Sequence, residues 1–233
     1  MDTYLIEDIC IHIFNNFTDY NSFINFSVVN KRLNYISNLD ELEIKKHKYL
    51  AEKLYSIEIV NKPKSIALHN CLLKSSIMGN IKLVENFLDM GAFSVNWALV
   101  YSVYSGNLEI INKMIEKGAD CWDWALIKSA YVGNLELVHF FINHGAKEYN
   151  NALIESLYSN NKSIINLLIS KGANCWYKCL KSAILLNNVD LIKFFLKKYT
   201  GNNTETLIEI AKKHKNNIHI VEYLKEYSIL YYK

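Results

Sequence analysis

Seven histidines and five cysteines carry the side chains suited to proton transfer, nucleophilic attack or metal ligation. The histidines stand at 12, 47, 69, 139, 144, 214 and 219, and none combines with both a carboxylate and a nucleophile at helical spacing. They read as surface or cap residues. Cys175-x3-Cys179 could open a metal site, but no second Cys or His pair follows at ligand spacing. The five cysteines are odd in number and sit inside patterned segments, so reduced, structural thiols in a reducing compartment are expected. No G-x-G-x-x-G or G-K-[ST] loop is present to cradle a phosphate. No catalytic residue, metal or cofactor is expected, and the chain reads as no enzyme.

The charge balance excludes further classes. With 26 basic and 23 acidic residues, net +3, no strong field draws nucleic acid or anionic membrane. The basic runs Lys45-Lys46-His47-Lys48 and Lys212-Lys213-His214-Lys215 are short and read as solvated faces. The N-terminus MDTYLIEDIC has acids where a secretory leader has bases, and no apolar run approaches the roughly 18 residues of a membrane span. A cytoplasmic location is expected, with the nucleus open as well. At 233 residues and 51% hydrophobic, the chain can fold on packing alone.

The elements that position these residues are repeats. Gly-Asn occurs at 79–80, 106–107 and 133–134 and continues as Asn160-Asn161 and Asn187-Asn188, each step 27 residues. Gly-Ala marches in phase at 91–92, 118–119, 145–146 and 172–173. A third register is Cys71, Ala98, Ala125, Ala152 and Cys179, each followed by leucine. Cys121 and Cys175, 54 residues apart, are one structural position used twice.

Within a unit, 124–134 shows helical spacing up to Gly133, whose freedom at positive φ ends a helix. The stretch 135–145 places Leu135, Val138, Phe141 and Ile142 on a second, antiparallel helix ending at Gly145. Too few residues remain before the next unit for anything but a tight turn. Each unit is a helix pair that cannot bury its apolar stripes without a neighbour.

The pattern A-L-x-x-[SA]-A-x-x-G-N-L-E-[IL]-[IV]-x-x-[FM]-[IL]-x-x-G-A, over about Ile66 to Tyr227, resembles the ankyrin repeat. It departs in period, 27 against about 33, and in its start, Trp97-Ala98-Leu99 or Trp124-Ala125-Leu126 for T-P-L-H. The residues missing between units are those of the family's β-hairpin finger. The resemblance implies an all-α, ankyrin-type solenoid of nearly finger-less helix pairs. Five units run from Ile66 to Thr200, and a sixth, to Tyr227, carries a two-residue insertion around Lys213-His214-Lys215 and caps the stack. Residues 228–233 form a tail.

The first 42 residues lack both markers and read as three short helices. Leu5-Ile-Glu-Asp-Ile-Cys-Ile-His-Ile-Phe14, Phe17-Thr-Asp19 and Val28-Val-Asn-Lys-Arg-Leu-Asn-Tyr-Ile36 resemble the F-box. Ile6 replaces the family's usual proline and Tyr20 its leucine. The bland reading of the same residues is an N-terminal helical cap. Ile9, Ile13, Phe14, Phe17, Phe23, Phe26, Val28, Val29 and Leu33 are many apolar side chains for such a cap, which favours an external partner. Residues 43–65, ending near Pro63, read as a helical strut.

An F-box followed by ankyrin repeats is similar to a substrate receptor of a cullin-RING ubiquitin ligase. The resemblance implies Leu5, Ile9, Ile13, Phe14, Phe17 and Val28 as the contact with a Skp-type adaptor and its cullin, and a monomer outside that complex. Such pairs resemble proteins of giant DNA viruses, which the Asn/Ile/Lys-rich composition suits; the compartment would then be the host cytoplasm. The runner-up is an ankyrin scaffold or inhibitor without a ligase. In the ankyrin family the two positions before the first-helix glycine face the concave side. They are Tyr104/Ser105, Tyr131/Val132, Tyr158/Ser159 and Leu185/Leu186 here, with Ile77/Met78 before them. Tyr104, Ser105, Tyr131, Val132, Tyr158, Ser159 and Leu185 are therefore the candidate contacts with an unidentified protein target. Two roles fit the tyrosines: target binding, or covering the groove floor and stacking on one another. Trp97, Trp122, Trp124 and Trp176 read as wedges between units.

Overall fold

The computed structural model describes residues 64–201, 203–213 and 218–231. The F-box-like stretch and all of the strut before Lys64 lie outside the described residues. Twelve helices are described, with no strand among the described residues. They pair as α1 (Lys64–Met78) with α2 (Ile81–Asp89), α3 (Val95–Ser105) with α4 (Leu108–Glu116), and α5 (Trp122–Val132) with α6 (Leu135–Asn143). Then follow α7 (Tyr149–Ser159) with α8 (Lys162–Ser170), α9 (Trp176–Leu185) with α10 (Val189–Leu196), and α11 (Thr204–Lys212) with α12 (Ile218–Tyr231). The chain divides into two compact units, one ending at Cys121 and the other beginning at Trp122.

The sequence markers are helix punctuation. At the end of α5, Gly133 adopts φ +81 and its N–H donates to the carbonyls of Ser129 and Ala130. The next residue, Asn134, donates its own N–H back to Ser129 and accepts from the Leu137 N–H with its side chain. One glycine thus stops the first helix, and one asparagine caps the second, a contribution of about 1 kcal/mol per cap. Asn160 and Asn187 take the glycine's place at φ 50 and 53, because asparagine tolerates the left-handed region better than other side chains. The Gly-Ala marker ends the second helix in the same manner. The buried Ala146 donates to Phe141 O at 3.1 Å, and Ala119 and Ala173 donate to Met114 O and Leu168 O.

Within each unit, first helices pack on each other and on their own second helices. The third register, Cys71 and Leu72, Ala98 and Leu99, Ala125 and Leu126, Ala152 and Leu153, Cys179 and Leu180, is wholly buried. A serine ladder that the sequence reading missed lies beside it. Ser75, Ser102, Ser129 and Ser156 are buried, and each hydroxyl donates to a carbonyl of the preceding turn, as Ser129 Oγ does to Ala125 O at 2.7 Å. Small side chains whose polar atom is satisfied locally let first helices approach closely.

Three expectations are corrected. In α6 the buried stripe is Leu137, Val138 and Phe141; Leu135, first in the helix, and Ile142 are half-exposed, since a terminal position has no neighbouring turn to cover it. The stretch 228–233 is not all tail: α12 continues to Tyr231. No glycine stops it, and Tyr227 inside it is anchored by its hydroxyl to Leu196 O at 3.0 Å. Nor are Trp97 and Trp124 buried wedges between units. Trp97 and Trp124 are 52% and 60% exposed, while Trp122 packs on His144, the C-cap of α6, and Trp176 on Phe195 of α10. The reason is register: positions 95, 122, 149 and 176 begin first helices half-buried, and positions 97 and 124, two residues on, project from the opposite side.

Candidate functional site

Polar ties join successive helix pairs within each unit where the family's fingers would stand. In the first unit, Asn96 at the start of α3 accepts the Asp120 N–H and donates to the Asp120 carboxylate, while the Cys121 thiol donates to Asn96 O at 3.0 Å. The second unit repeats the arrangement. Asp123 accepts the N–H groups of Lys147 and Glu148 at 2.6 and 3.0 Å; Asn150 accepts from Asn174 N–H, and the Cys175 thiol donates to Asn150 O. Cys121 and Cys175 do occupy one structural position, each tied to the backbone of the preceding first helix. Burial pushes the Cys121 thiol up to about 11, so it is a poor nucleophile.

At the opposite end of the first helices, the N-cap asparagines tie pairs together. Asn107 donates to Gly79 O at 3.0 Å and Asn161 to Gly133 O at 3.1 Å, while their oxygens cap α4 and α8. Ser105 Oγ donates to Ser76 O and Ser159 Oγ to Ala130 O, at 3.0 and 2.9 Å. The hydroxyls of these two candidate contacts are thus engaged with the preceding first helix.

The neighbouring positions point outward. In the second unit the rings of Tyr131 and Tyr158 lie 5.5 Å apart, with Lys128 Nζ 5.1 Å from the Tyr131 ring centre. Tyr131 is half-buried, Tyr158 is 52% exposed, and Leu185, in the same register, is 51% exposed. Val132 is exposed beside them. In the first unit Tyr104 is half-buried, stacks on Tyr101 at 6.2 Å, and Tyr101 in turn meets Trp97 at 6.5 Å. So Trp97, Tyr101 and Tyr104 make one aromatic stripe along α3, which the two-residue rule for the concave face missed. Its signal was present: Trp97 and Trp124 stand 27 apart, whereas Trp122 and Trp176 are two periods apart in another register. A half-exposed aromatic or leucine at a repeated position costs solvent-exposed apolar area that a partner can cover.

Residues 99–179 match the family model described as ankyrin repeats (3 copies). No curated protein matches the chain. The all-helical fold and its repeats are those of an ankyrin-type helical solenoid, an architecture that serves protein–protein interaction. Such folds are typically non-enzymatic scaffolds. Among the described residues no group of three or more His, Cys, Asp or Glu is placed to hold a metal ion, and no helix is long and apolar enough to cross a membrane. The adaptor candidates Leu5, Ile9, Ile13, Phe14, Phe17 and Val28 lie outside the described residues.

Proposed function

We propose that this chain is a substrate receptor, its repeats holding a protein target and residues 1–42 docking on the Skp-type adaptor of a cullin ubiquitin ligase. The observation that carries the target-binding half is the outward register Tyr131, Tyr158 and Leu185 of the second unit. These side chains stay half-buried or exposed while every position of the adjacent serine and leucine registers is sealed. Aromatic rings with a polar tip, held on a rigid helix stack, lose little entropy on binding. Tyr104, the corresponding position of the first unit, has its hydroxyl buried and so offers a partner only its ring. Support for the adaptor half is the F-box pattern from Leu5 to Ile36 and its surplus of apolar side chains. Target and adaptor would then meet on one chain, in the host cytoplasm if the viral resemblance holds.

The test is co-purification from eukaryotic lysate of wild type, Ile9→Asp/Phe17→Lys and Tyr158→Ala. Wild type should retain adaptor and cullin. The N-terminal double variant should lose both, each charge opposing a buried interface by several kcal/mol, on the order of its desolvation cost. Tyr158→Ala should keep the adaptor and lose target, with stability lowered by about 0.5–1.5 kcal/mol for its lost ring contact with Tyr131 and the chain still folded. No adaptor on the wild type, or equal adaptor on wild type and double variant, refutes the ligase reading and leaves the ankyrin scaffold or inhibitor.

A further inference from the structure

Cys175 and Cys179 stand apart from the other described thiols. Their Sγ atoms are 3.6 Å apart, within van der Waals contact. Cys175 is the N-cap of α9 and is half-buried; Cys179, in the first turn and a half of the helix, is wholly buried. We propose that this pair is a peroxide-oxidisable site, Cys175 attacking a hydroperoxide and Cys179 closing an intrahelical disulfide.

The chemistry balances with a hydroperoxide as oxidant. The Cys175 thiolate attacks one peroxide oxygen, the O–O bond breaks, and the leaving alkoxide or hydroxide takes a proton to become alcohol or water. Cys175 is now a sulfenic acid. The Cys179 sulfur then attacks the Cys175 sulfur, the S–O bond breaks, and the hydroxyl leaves as water with the Cys179 proton. The net change is the loss of two hydrogens from the protein and the reduction of the peroxide.

Position assigns the roles. Cys175 lies at the surface end of the helix, where solvent and peroxide reach it, and Cys179 can be reached only by its neighbour. The N-terminus of α9 favours negative charge on Cys175, whose side chain makes no capping bond to the backbone there. The hydrogen bond from the Cys179 thiol, and Lys178 beside it, hold the Cys175 thiol below the ordinary cysteine range against the opposing effect of burial. Giving that hydrogen bond, together with burial, raises the Cys179 thiol, so it stays protonated until Cys175 is oxidised and attacks only as its proton passes to the departing hydroxyl; its contact with Cys175, not its acidity, suits it to resolve. Disulfide geometry needs the sulfurs about 2.05 Å apart. An N-cap residue lies outside the helical dihedrals and has the freedom to close the difference. Closure draws the Cys175 sulfur away from Asn150 O, and so removes one tie between α7 and the turn before α9.

The chain contains its own control. Cys121 holds the same repeat position and the same backbone tie, but the residue four further on is Ala125 in place of a cysteine. The folded full chain is treated with hydrogen peroxide, quenched in acid, alkylated in denaturant and digested with trypsin. Cleavage after Lys171, Lys178 and Lys181 releases Gly172–Lys178 and Cys179–Lys181 as separate peptides unless a disulfide joins them. The expected product is the joined pair, separated again by dithiothreitol, with Cys121 alkylated as a free thiol. Cys179→Ala should trap Cys175 as a dimedone-reactive sulfenic acid and yield no joined peptide. Both thiols alkylated after treatment, Cys175 over-oxidised without linkage in the wild type, or Cys121 oxidised as readily as Cys175, each overturns the proposal.

Discussion

Two glycines with the same conformational demand and different surroundings separate backbone strain from packing between helix pairs. Gly133 and Gly145 adopt φ +81 and +99, so alanine at either position bears the left-handed penalty of about 1–2 kcal/mol. A Cβ at Gly145 meets nothing within 4 Å. At Gly133 it would lie 2.9 Å from the Ser159 Cβ and 3.4 Å from its Oγ. The Ser159 Cβ is fixed to a helix backbone and cannot swing aside, so α7 must shift, which also strains the Ser159 bond to Ala130 O. Overpacking of this kind adds about 1–3 kcal/mol, giving about 2–5 kcal/mol for Gly133→Ala in total. Urea unfolding followed by circular dichroism reads both variants, the midpoints being compared only at equal slope because repeat arrays can lose two-state behaviour. In the double-variant cycle, Ser159→Gly should cancel the overpacking part of the Gly133→Ala cost. Equal midpoints for Gly133→Ala and Gly145→Ala, or no coupling in the cycle, would refute the close approach of α5 and α7.

Two further expectations use single side chains. Asn161→Ala, losing both its cap on α8 and its bond to Gly133 O, should cost about 2 kcal/mol in the same assay, whereas Asn161→Asp keeps the cap and should lose only the second part; an Asn161→Asp variant as stable as wild type would show that the asparagine acts only as a cap. Burial holds His69 below the ordinary imidazole range, so its neutral form is favoured in the folded chain. That stability is present above the unfolded value of about 6.5 and is lost as pH falls through the lower folded value. The urea midpoint should therefore drop as pH falls below about 6.5, and His69→Gln should flatten that drop; an unchanged slope counts against it.

Much of the architecture was written in glycine and asparagine. Gly133 and Gly145 announce helix ends because few other residues adopt positive φ cheaply, and that demand is local, so one sequence displays it. The 27-residue period followed, with helix pairs, buried alanine-leucine registers and the absence of room for a finger. Asn134 and its counterparts were legible as markers, but their second bond, to the preceding pair, was not. A side chain's local partner is set by spacing along the chain, and its distant partner by how two helices pack.

The same division holds at the surface. The period placed Tyr131, Tyr158 and Leu185 in one register, but only packing showed Tyr158 and Leu185 outside and turned the hydroxyls of Ser105 and Ser159 inward. Sequence treated four tryptophans alike; a two-residue offset around the helix separated Trp97 and Trp124 from Trp122 and Trp176. The spacing of Cys175 and Cys179 was legible in the sequence, but their contact was not until the first turn of α9 brought their sulfurs to 3.6 Å. Repetition encodes which positions are equivalent, since every unit meets the same neighbours. Which of those positions face solvent, and which side chains touch, depends on helix rotation and close approach in three dimensions, and these the tertiary structure alone decided.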